Sequence, residues 1–248
     1  MVETDNSGAS HSSNQNSGVK YTKSVQIKRW SINYLLFTIH DSASVFQKIK
    51  MSETLLYKTA TKAFRDRWIE YIYGLQDRIC AALEKADGKA LFKTDEWERA
   101  GGKGGGGRTR VIENGAVFEK GGVNTSVVFG AVNDAMRKQL QIEGKSWFAC
   151  GLSLVIHPLN PYVPTVHANW RFFELYDEAG YVTDRWFGGG TDLTPYYLFE
   201  EDAKHFHQTI KKTLDSFDPD LYPVYKKNCD EYFSNTHRNK ETRGIGVI

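Results

Sequence analysis

Polar and hydrophobic residues alternate along two stretches in the second half of the chain. From Ser153 to His157 the alternation places both of these polar residues on one face of a predicted strand, opposite Leu152, Leu154 and Ile156. Residues 165–174 repeat the pattern, with His167, Asn169 and Arg171 on one face and Val166, Ala168, Trp170 and Phe172 on the other. Polar side chains are costly to bury without partners, so solvent or a ligand must meet these faces. The two strands therefore predict a functional site.

Helical periodicity precedes and follows this region. Apolar residues recur every three or four positions from Phe64 to Leu83, and the pair Asp87-Gly88 suits a helix C-terminus. The same period returns after Pro195, where Ala203, Phe206, Ile210 and Leu214 share a face. A further helix is predicted to begin at Pro219, with Asp218 as its cap.

Strands are predicted between these helices. Asn114-Gly115 lies between two short apolar runs, which is typical of a tight hairpin. Further strands are expected at residues 125–129, 147–157, 166–174 and 181–187. A helix followed by a run of antiparallel strands and then by helices predicts an α+β fold.

The first 50 residues differ in composition from the rest. Residues 1–20 are rich in Ser, Asn and Gly, which is typical of a disordered tail. We therefore predict a disordered or weakly structured extension over residues 1–50 and a folded domain over residues 51–248, with Met51 as a candidate functional start.

Charge and cysteine content exclude several classes of protein. The net charge is +2 and no continuous Lys/Arg stripe is present, so no nucleic-acid partner is expected. Three widely spaced cysteines give no disulfide framework and no CxxC metal motif, which favours a reducing compartment. No apolar run approaches the ~20 residues of a membrane span, so no transmembrane segment is predicted.

The glycine-rich segment 101–107 leaves two alternatives open. It contains no Walker motif, so nucleotide binding is not predicted. One alternative is a flexible surface linker. The other is a loop whose glycines let an anionic ligand approach the backbone, with Arg108 and Arg110 supplying positive charge.

Candidate chemistry in the second half rests on histidines, one arginine and one aspartate. The histidines show no HxxxH or HExxH metal signature, so acid–base work is at least as good an interpretation as metal binding. Arg171 is suited to bidentate recognition of a carboxylate. Asp192 follows three glycines at a predicted strand-to-helix boundary, where it is either a helix cap or an acceptor for ligand N–H groups.

Seven blocks resemble the signatures of the oxygen-dependent coproporphyrinogen III oxidase family. They occur in the family's order and cover roughly residues 64–246. The blocks are residues 104–111, 118–124, 153–161, 166–174, 186–195, 200–207 and 237–246.

The resemblance implies a large antiparallel β-sheet flanked by α-helices on both sides, in a protein that works as a homodimer. It implies oxidative decarboxylation of two propionates of coproporphyrinogen III to vinyl groups, giving protoporphyrinogen IX in haem biosynthesis. O₂ is the co-substrate, and neither flavin nor haem is required. The compartment implied is the cytoplasm, or the mitochondrial intermembrane space for animal relatives.

Residue roles also follow from the resemblance. Ser153, Asn169 and Arg171 bind substrate, with Arg171 holding a propionate. His167 is the proton donor, and Asp192 faces the pyrrole N–H groups. His157, His167, His207 and His237 match positions that are sometimes assigned to a divalent metal.

The chain departs from the family's pattern at its end. Relatives continue past the last residues through further strands and helices, so a C-terminally truncated form of weak activity is expected. Two rival functions follow: a porphyrin-binding remnant without turnover, and a metal-dependent enzyme built on the histidines.

Overall fold

A computed structural model describes residues 62–242 and 245–247 of this chain, and the predictions about residues 1–50 and Met51 lie outside them. The helices and longer strands follow in chain order as α1 (Lys62–Asp87), β1 (Lys93–Glu98), β2 (Gly105–Glu113), β3 (Phe118–Ala131), α2 (Asp134–Leu140), β4 (Ser146–Pro158), β5 (Thr165–Tyr176), β6 (Val182–Thr194), α3 (Glu200–Asp215) and α4 (Leu221–Tyr232). The C-terminal part adds three short strands, β7 (Ser234–Asn235), β8 (Glu241–Thr242) and β9 (Ile245–Val247).

Seven strands form one antiparallel sheet in the order β1-β2-β3-β4-β5-β6-β9. Strands β1 to β6 follow one another as hairpins, and β9 pairs with the far end of β6. The α+β prediction with a large antiparallel sheet is confirmed.

Helix α1 covers one face of the sheet, which we call the covered face. Its periodic residues Phe64, Trp68, Ile72, Leu75, Ile79 and Leu83 are all buried, as the sequence pattern predicts. They pack against the apolar sides of β4 and β5, including Leu152, Leu154 and Phe172. Each such side chain contributes roughly 1.5–3 kcal/mol when it is fully buried. Helix α1 ends as predicted, because Gly88 has a φ of +73° and its N–H donates to the Glu84 carbonyl.

Helix α3 lies on the same face at the β6 end of the sheet. Phe206 and Ile210 pack against Leu193 and Val166 there. Helix α3 begins at Glu200, five residues after Pro195, and α4 begins at Leu221, two residues after the predicted start. None of the described helices combines the length and apolar character needed to cross a bilayer.

Among the described residues, a helix covers the opposite face, which we call the open face, only at one end. There Met136 of the short helix α2 packs against Phe173 and Leu175. Further along the same face Arg171 and Val155 are exposed. The helices therefore lie on both sides of the sheet, and the central part of the open face is accessible.

The second half of the glycine-rich segment is part of the sheet. Gly105, Gly106 and Gly107 belong to β2, between β1 and β3, so the flexible-linker interpretation is wrong for these three residues, whereas Gly101 and Gly102 lie in a short 3-10 turn before the strand. A Cβ atom on Gly107 would lie 2.2 Å from the Thr125 carbonyl oxygen and 2.6 Å from the Trp97 ring. Glycine is needed here because the neighbouring strands lie too close to leave room for a side chain.

Candidate active site

Strand register brings the predicted site residues together on the open face. Paired residues of β4, β5 and β6 form three successive rows across the sheet. The rows are Gly151–Arg171–Gly188, Ser153–Asn169–Gly190 and Val155–His167–Asp192. The alternation seen in the sequence is confirmed, because Leu152, Leu154 and Ile156 are buried on the covered face.

His167 and Asp192 are direct neighbours in the third row. The imidazole Nδ1 lies 3.5 Å from Asp192 Oδ2, and the two side chains are 41% and 22% exposed. The Thr194 hydroxyl donates to the same Oδ2 at 2.9 Å. A carboxylate fixed in this way can orient an imidazole ring. The arrangement therefore suits proton transfer at a site that a ligand can reach.

Asp192 lies inside β6 and caps no helix. The strand continues to Thr194, so Asp192 and Thr194 share the open face. Sequence reasoning placed a strand-to-helix boundary at this point and so missed Thr194. The two-residue spacing of Asp192 and Thr194 is the signal that could have found it.

Arg171 is the positive charge of this site. It is exposed and has glycine on both neighbouring strands, Gly151 and Gly188. Within residues 62–242 and 245–247, no carboxylate lies within ion-pair distance of its guanidinium group. An arginine left without an intramolecular carboxylate can bind an anionic ligand.

The floor and one wall of the site suit a flat apolar ligand. The sheet surface beside Arg171 and Asn169 is left uncovered, because the three neighbouring residues are glycines without side chains: Gly151, Gly188 and Gly190. Trp186 stacks on Phe173 with ring centroids 5.0 Å apart and stands next to this floor. The cleft that includes Ser153, Arg171 and these aromatic rings has a volume of about 270 Å³.

Arg108 and Arg110 lie apart from this site, so the structure does not bring them together with Arg171 as expected from the sequence. Both point to the covered face, where each contacts Asp77 of α1, at 2.7 Å and 3.0 Å respectively. Arg108 Nε also donates to Gln76 Oε1 at 2.6 Å. The physical reason is the two-residue period of β2, which puts Arg108, Arg110 and the buried Ile112 on one face. These ion pairs with Asp77 hold α1 against the sheet.

The four histidines predicted as metal ligands lie in different surroundings. His157 is exposed near Thr165, with 3.4 Å between its Nδ1 and the Thr165 hydroxyl, and His237 is exposed in the turn at Thr236–Arg238. His207 on α3 contacts the Tyr222 hydroxyl at 3.0 Å. Burial lowers the pKa of His207, and the Lys226 charge acts in the same direction. Among the described residues, no three His, Cys, Asp or Glu side chains come close enough to hold a metal ion.

Comparison with known proteins identifies relatives over most of the described region. A family model described as coproporphyrinogen III oxidase matches residues 67–248. A protein named oxygen-dependent coproporphyrinogen-III oxidase from Parasynechococcus marenigrum (strain WH8102) is 53% identical over 179 residues, covering 71% of this chain and 47% of that protein. Proteins of the same name from Synechococcus sp. (strain CC9902) and Prochlorococcus marinus (strain MIT 9313) are 51% and 50% identical over 186 residues. Each alignment covers 74% of this chain, and 49% and 51% of the respective relative. The chain spans about half the length of the curated relatives it matches.

Proposed function

Because this chain belongs to the coproporphyrinogen III oxidase family, we propose that its open face binds coproporphyrinogen III and takes part in the oxidative decarboxylation of two propionates. The observation that carries the proposal is the grouping of Arg171, Asn169 and His167 on consecutive open-face positions of β5. An anion-binding group, a hydrogen-bonding group and a proton-transfer group thus stand beside a floor of glycines.

Each residue has a defined part in the proposed reaction. Arg171 binds one propionate carboxylate, and Ser153 and Asn169 donate hydrogen bonds that fix the substrate over the glycine floor. Asp192 accepts hydrogen bonds from pyrrole N–H groups and keeps His167 in place. The walls formed by Trp186 and Phe173 exclude water from one side of the macrocycle.

The redox balance requires only substrate and O₂. At each reacting propionate, the bond to the carboxylate carbon breaks and releases CO₂, and its electron pair forms the vinyl double bond. The carbon next to the ring loses a hydride equivalent, which reduces O₂. With one proton, which His167 supplies in this proposal, the oxygen product is H₂O₂. No flavin, haem or metal ion is needed for this balance.

The test is direct turnover by the purified chain. Coproporphyrinogen III is incubated with the protein in air, and the divinyl product is followed by fluorescence after oxidation to the porphyrin. We expect product from the unmodified chain, at least a tenfold loss in Arg171→Ala, and no loss in Arg137→Ala, which removes an exposed arginine from α2. An Arg171→Ala variant as active as the unmodified chain would contradict the proposed role of the open face.

A second candidate is porphyrin binding without turnover. It is favoured by the geometry of the cleft, because the exposed Arg171 and the glycine floor can hold a carboxylated ring without any proton transfer. It predicts that coproporphyrin III binds and that Arg171→Ala abolishes binding, while no oxygen is consumed. Oxygen uptake in the same cuvette therefore separates the two candidates.

Compartment and assembly are also proposals. Cytoplasmic location is supported by the cysteines, since Cys80, Cys150 and Cys229 are all free and buried, as expected in a reducing compartment. A homodimer remains a prediction that light scattering of the purified chain tests.

A further inference from the structure

The carboxylate of Asp192 has a different neighbour at each of its two oxygens. On its own strand, the Thr194 hydroxyl donates to Oδ2 at 2.9 Å. On the neighbouring strand β9, the residue paired with Asp192 is Gly246, which is buried. A Cβ atom on Gly246 would lie 2.9 Å from Oδ1 of Asp192. A hydrogen-bond donor therefore holds one oxygen, and the missing side chain of a glycine leaves room for the other.

The surroundings of Gly246 show that a side chain at this position would move Asp192. The same Cβ atom would lie 3.0 Å from the Thr191 carbonyl oxygen and 3.1 Å from the sulfur of Cys229 on α4. Contacts this short force one of the three groups to move. The carbonyl belongs to the backbone of β6 and Cys229 is buried, whereas the carboxylate ends a side chain with a soft terminal torsion. Gly246 therefore lets Asp192 keep the orientation that Thr194 selects.

This orientation of Asp192 decides what His167 contacts. The cross-strand neighbours of His167 are Val155 on β4 and Asp192 on β6, and valine offers no hydrogen bond. Oδ2 of Asp192, the oxygen to which Thr194 donates, lies 3.5 Å from His167 Nδ1. That distance is long for a hydrogen bond, so a small displacement of the carboxylate would break the contact.

The contact with Asp192 also distinguishes the two nitrogens of the His167 ring. In a neutral imidazole the nitrogen that faces a carboxylate carries the proton, and the other nitrogen accepts. Nδ1 is the nitrogen that faces Asp192, so Nε2 remains for a ligand at this partly exposed side chain. A ring that lost this contact would return to a mixture of both tautomers.

We propose that Thr194 and Gly246 are positioning residues, which hold Asp192 so that His167 keeps its proton on Nδ1 and exchanges protons with the substrate through Nε2. Thr194 contributes a hydrogen bond and Gly246 contributes space, and both act through Asp192. The inference rests on the proposed function for the identity of the substrate, whereas the tautomer of His167 can be measured without it.

The experiment is an NMR spectrum that correlates the ring nitrogens and ring protons of isotope-labelled histidine in the purified chain. It is recorded at about pH 8, above the usual pKa of histidine, and a His167→Gln variant identifies the His167 signals. We expect the Nδ1–H tautomer in the unmodified chain and in Thr194→Ser, which keeps the hydroxyl. Thr194→Val keeps the shape but removes the donor, and it should give a mixture of tautomers.

Thr183→Val is the matched control for the loss of a hydroxyl. Thr183 lies at the other end of β6, where its hydroxyl donates to the Leu175 carbonyl at 3.3 Å. The same substitution there should leave the His167 signals unchanged.

Gly246→Ala tests the other side of Asp192. Its added methyl group displaces Oδ1, so we expect a mixture of tautomers as in Thr194→Val. Gly130→Ala on β3 is the control, because a Cβ atom there would meet the Trp147 ring at 3.5 Å, an ordinary contact. In turnover of coproporphyrinogen III, kcat should fall about tenfold or more in Thr194→Val and Gly246→Ala and stay near that of the unmodified chain in Thr194→Ser.

The outcomes separate the positioning roles from the function on which they rest. If the tautomers change as expected but the unmodified chain shows no turnover, the positioning roles stand and the proposed function is overturned. If His167 keeps the Nδ1–H form in both variants, or lacks it in the unmodified chain, the positioning roles are overturned whatever the turnover. A change in only one variant overturns the role of the other residue. A lowered unfolding midpoint with an unchanged tautomer would show a purely structural role.

Discussion

Asp87, the last residue of α1, is predicted to contribute strongly to stability. Its side chain is buried, with 5% exposure. The carboxylate accepts five backbone hydrogen bonds, from Lys89, Ala90, Ala116, Val117 and Phe118, at 2.8 to 3.2 Å. Two of these donors, Ala116 and Val117, lie in the turn between β2 and β3, and Phe118 is the first residue of β3, so one carboxylate joins the end of α1 to the sheet.

The size of the effect follows from the pKa of this group. Burial alone would raise the pKa of Asp87, but the backbone N–H groups outweigh burial and lower it from 3.8 to about 2. A difference of nearly two units corresponds to about 2.5 kcal/mol of stability at neutral pH. Asp87→Asn keeps the shape but turns an NH₂ group towards backbone donors, so we expect a loss of about 2–3 kcal/mol.

The pH dependence carries the sharper test. A carboxyl whose pKa is lower in the folded state stabilises above its unfolded pKa, and this stabilisation disappears as the pH falls through the folded pKa. The difference between the unmodified chain and Asp87→Asn should therefore be full at pH 6 and fall by about half at pH 3.

Urea unfolding followed by tryptophan fluorescence measures this difference, with Glu113→Gln as a control at an exposed carboxylate next to the same hairpin. Glu113→Gln should change the free energy of unfolding by less than about 0.5 kcal/mol. A loss in Asp87→Asn that stays constant from pH 6 to pH 3 would refute the reasoning, because it would show that packing and not the charge is responsible.

Three further predictions concern the core and the buried charges. Ile72→Ala should lower the free energy of unfolding by about 2–5 kcal/mol, since Ile72 is fully buried, whereas Leu91→Ala at a 72% exposed position should have little effect in the same urea titration. Glu174→Gln should cost about 3–5 kcal/mol, because it removes a buried negative charge that lies 2.7 Å from Arg185 and accepts a hydrogen bond from the Tyr176 hydroxyl. A melting temperature equal to that of the unmodified chain would contradict this. Burial raises the pKa of the three thiols, to about 11 in Cys80, about 12 in Cys150 and about 11 in Cys229. Iodoacetamide at pH 8 should therefore label these cysteines only after unfolding. Mass spectrometry of the folded protein should find them unmodified.

Elements with a clear period were predictable from the sequence, and those without one were not. Helix α1 and strands β4 and β5 bury one regular apolar side each, so their patterns are direct. Strand β1 was missed because all six of its residues lie at the edge and only Trp97 is even partly buried. Strand β3 was predicted as two separate pieces, the apolar run after Asn114-Gly115 that ends at Phe118 and residues 125–129. Between them Gly121 lets the continuous strand pass close to Ile112 and Ile156.

The glycine-rich segment shows a different limit. Glycine is typical of loops, and it is also required where strands approach closely, so composition alone left both alternatives open. Only the pairing of β2 with β1 and β3 distinguishes them. The same pairing determines which face of the sheet each later side chain of β2 points to. The sequence alone therefore did not show that Arg108 and Arg110 point to the covered face.

The face that α1 occupies decides which arginines are available to a ligand. Arg108, Arg110 and Arg171 all occur in strands at alternating positions, and the sequence gives no reason to rank them. Helix α1 brings Asp77 to the first two, so both guanidinium groups contact one carboxylate within the fold. Arg171 faces the other way and meets no carboxylate among the described residues. An anion bound by this sheet is therefore expected on the face that α1 leaves open. Asp77→Asn would remove the carboxylate that contacts both Arg108 and Arg110, while Arg108 keeps its hydrogen bond to Gln76. It adds no charge to the open face, so it should weaken the attachment of α1 and leave porphyrin affinity unchanged.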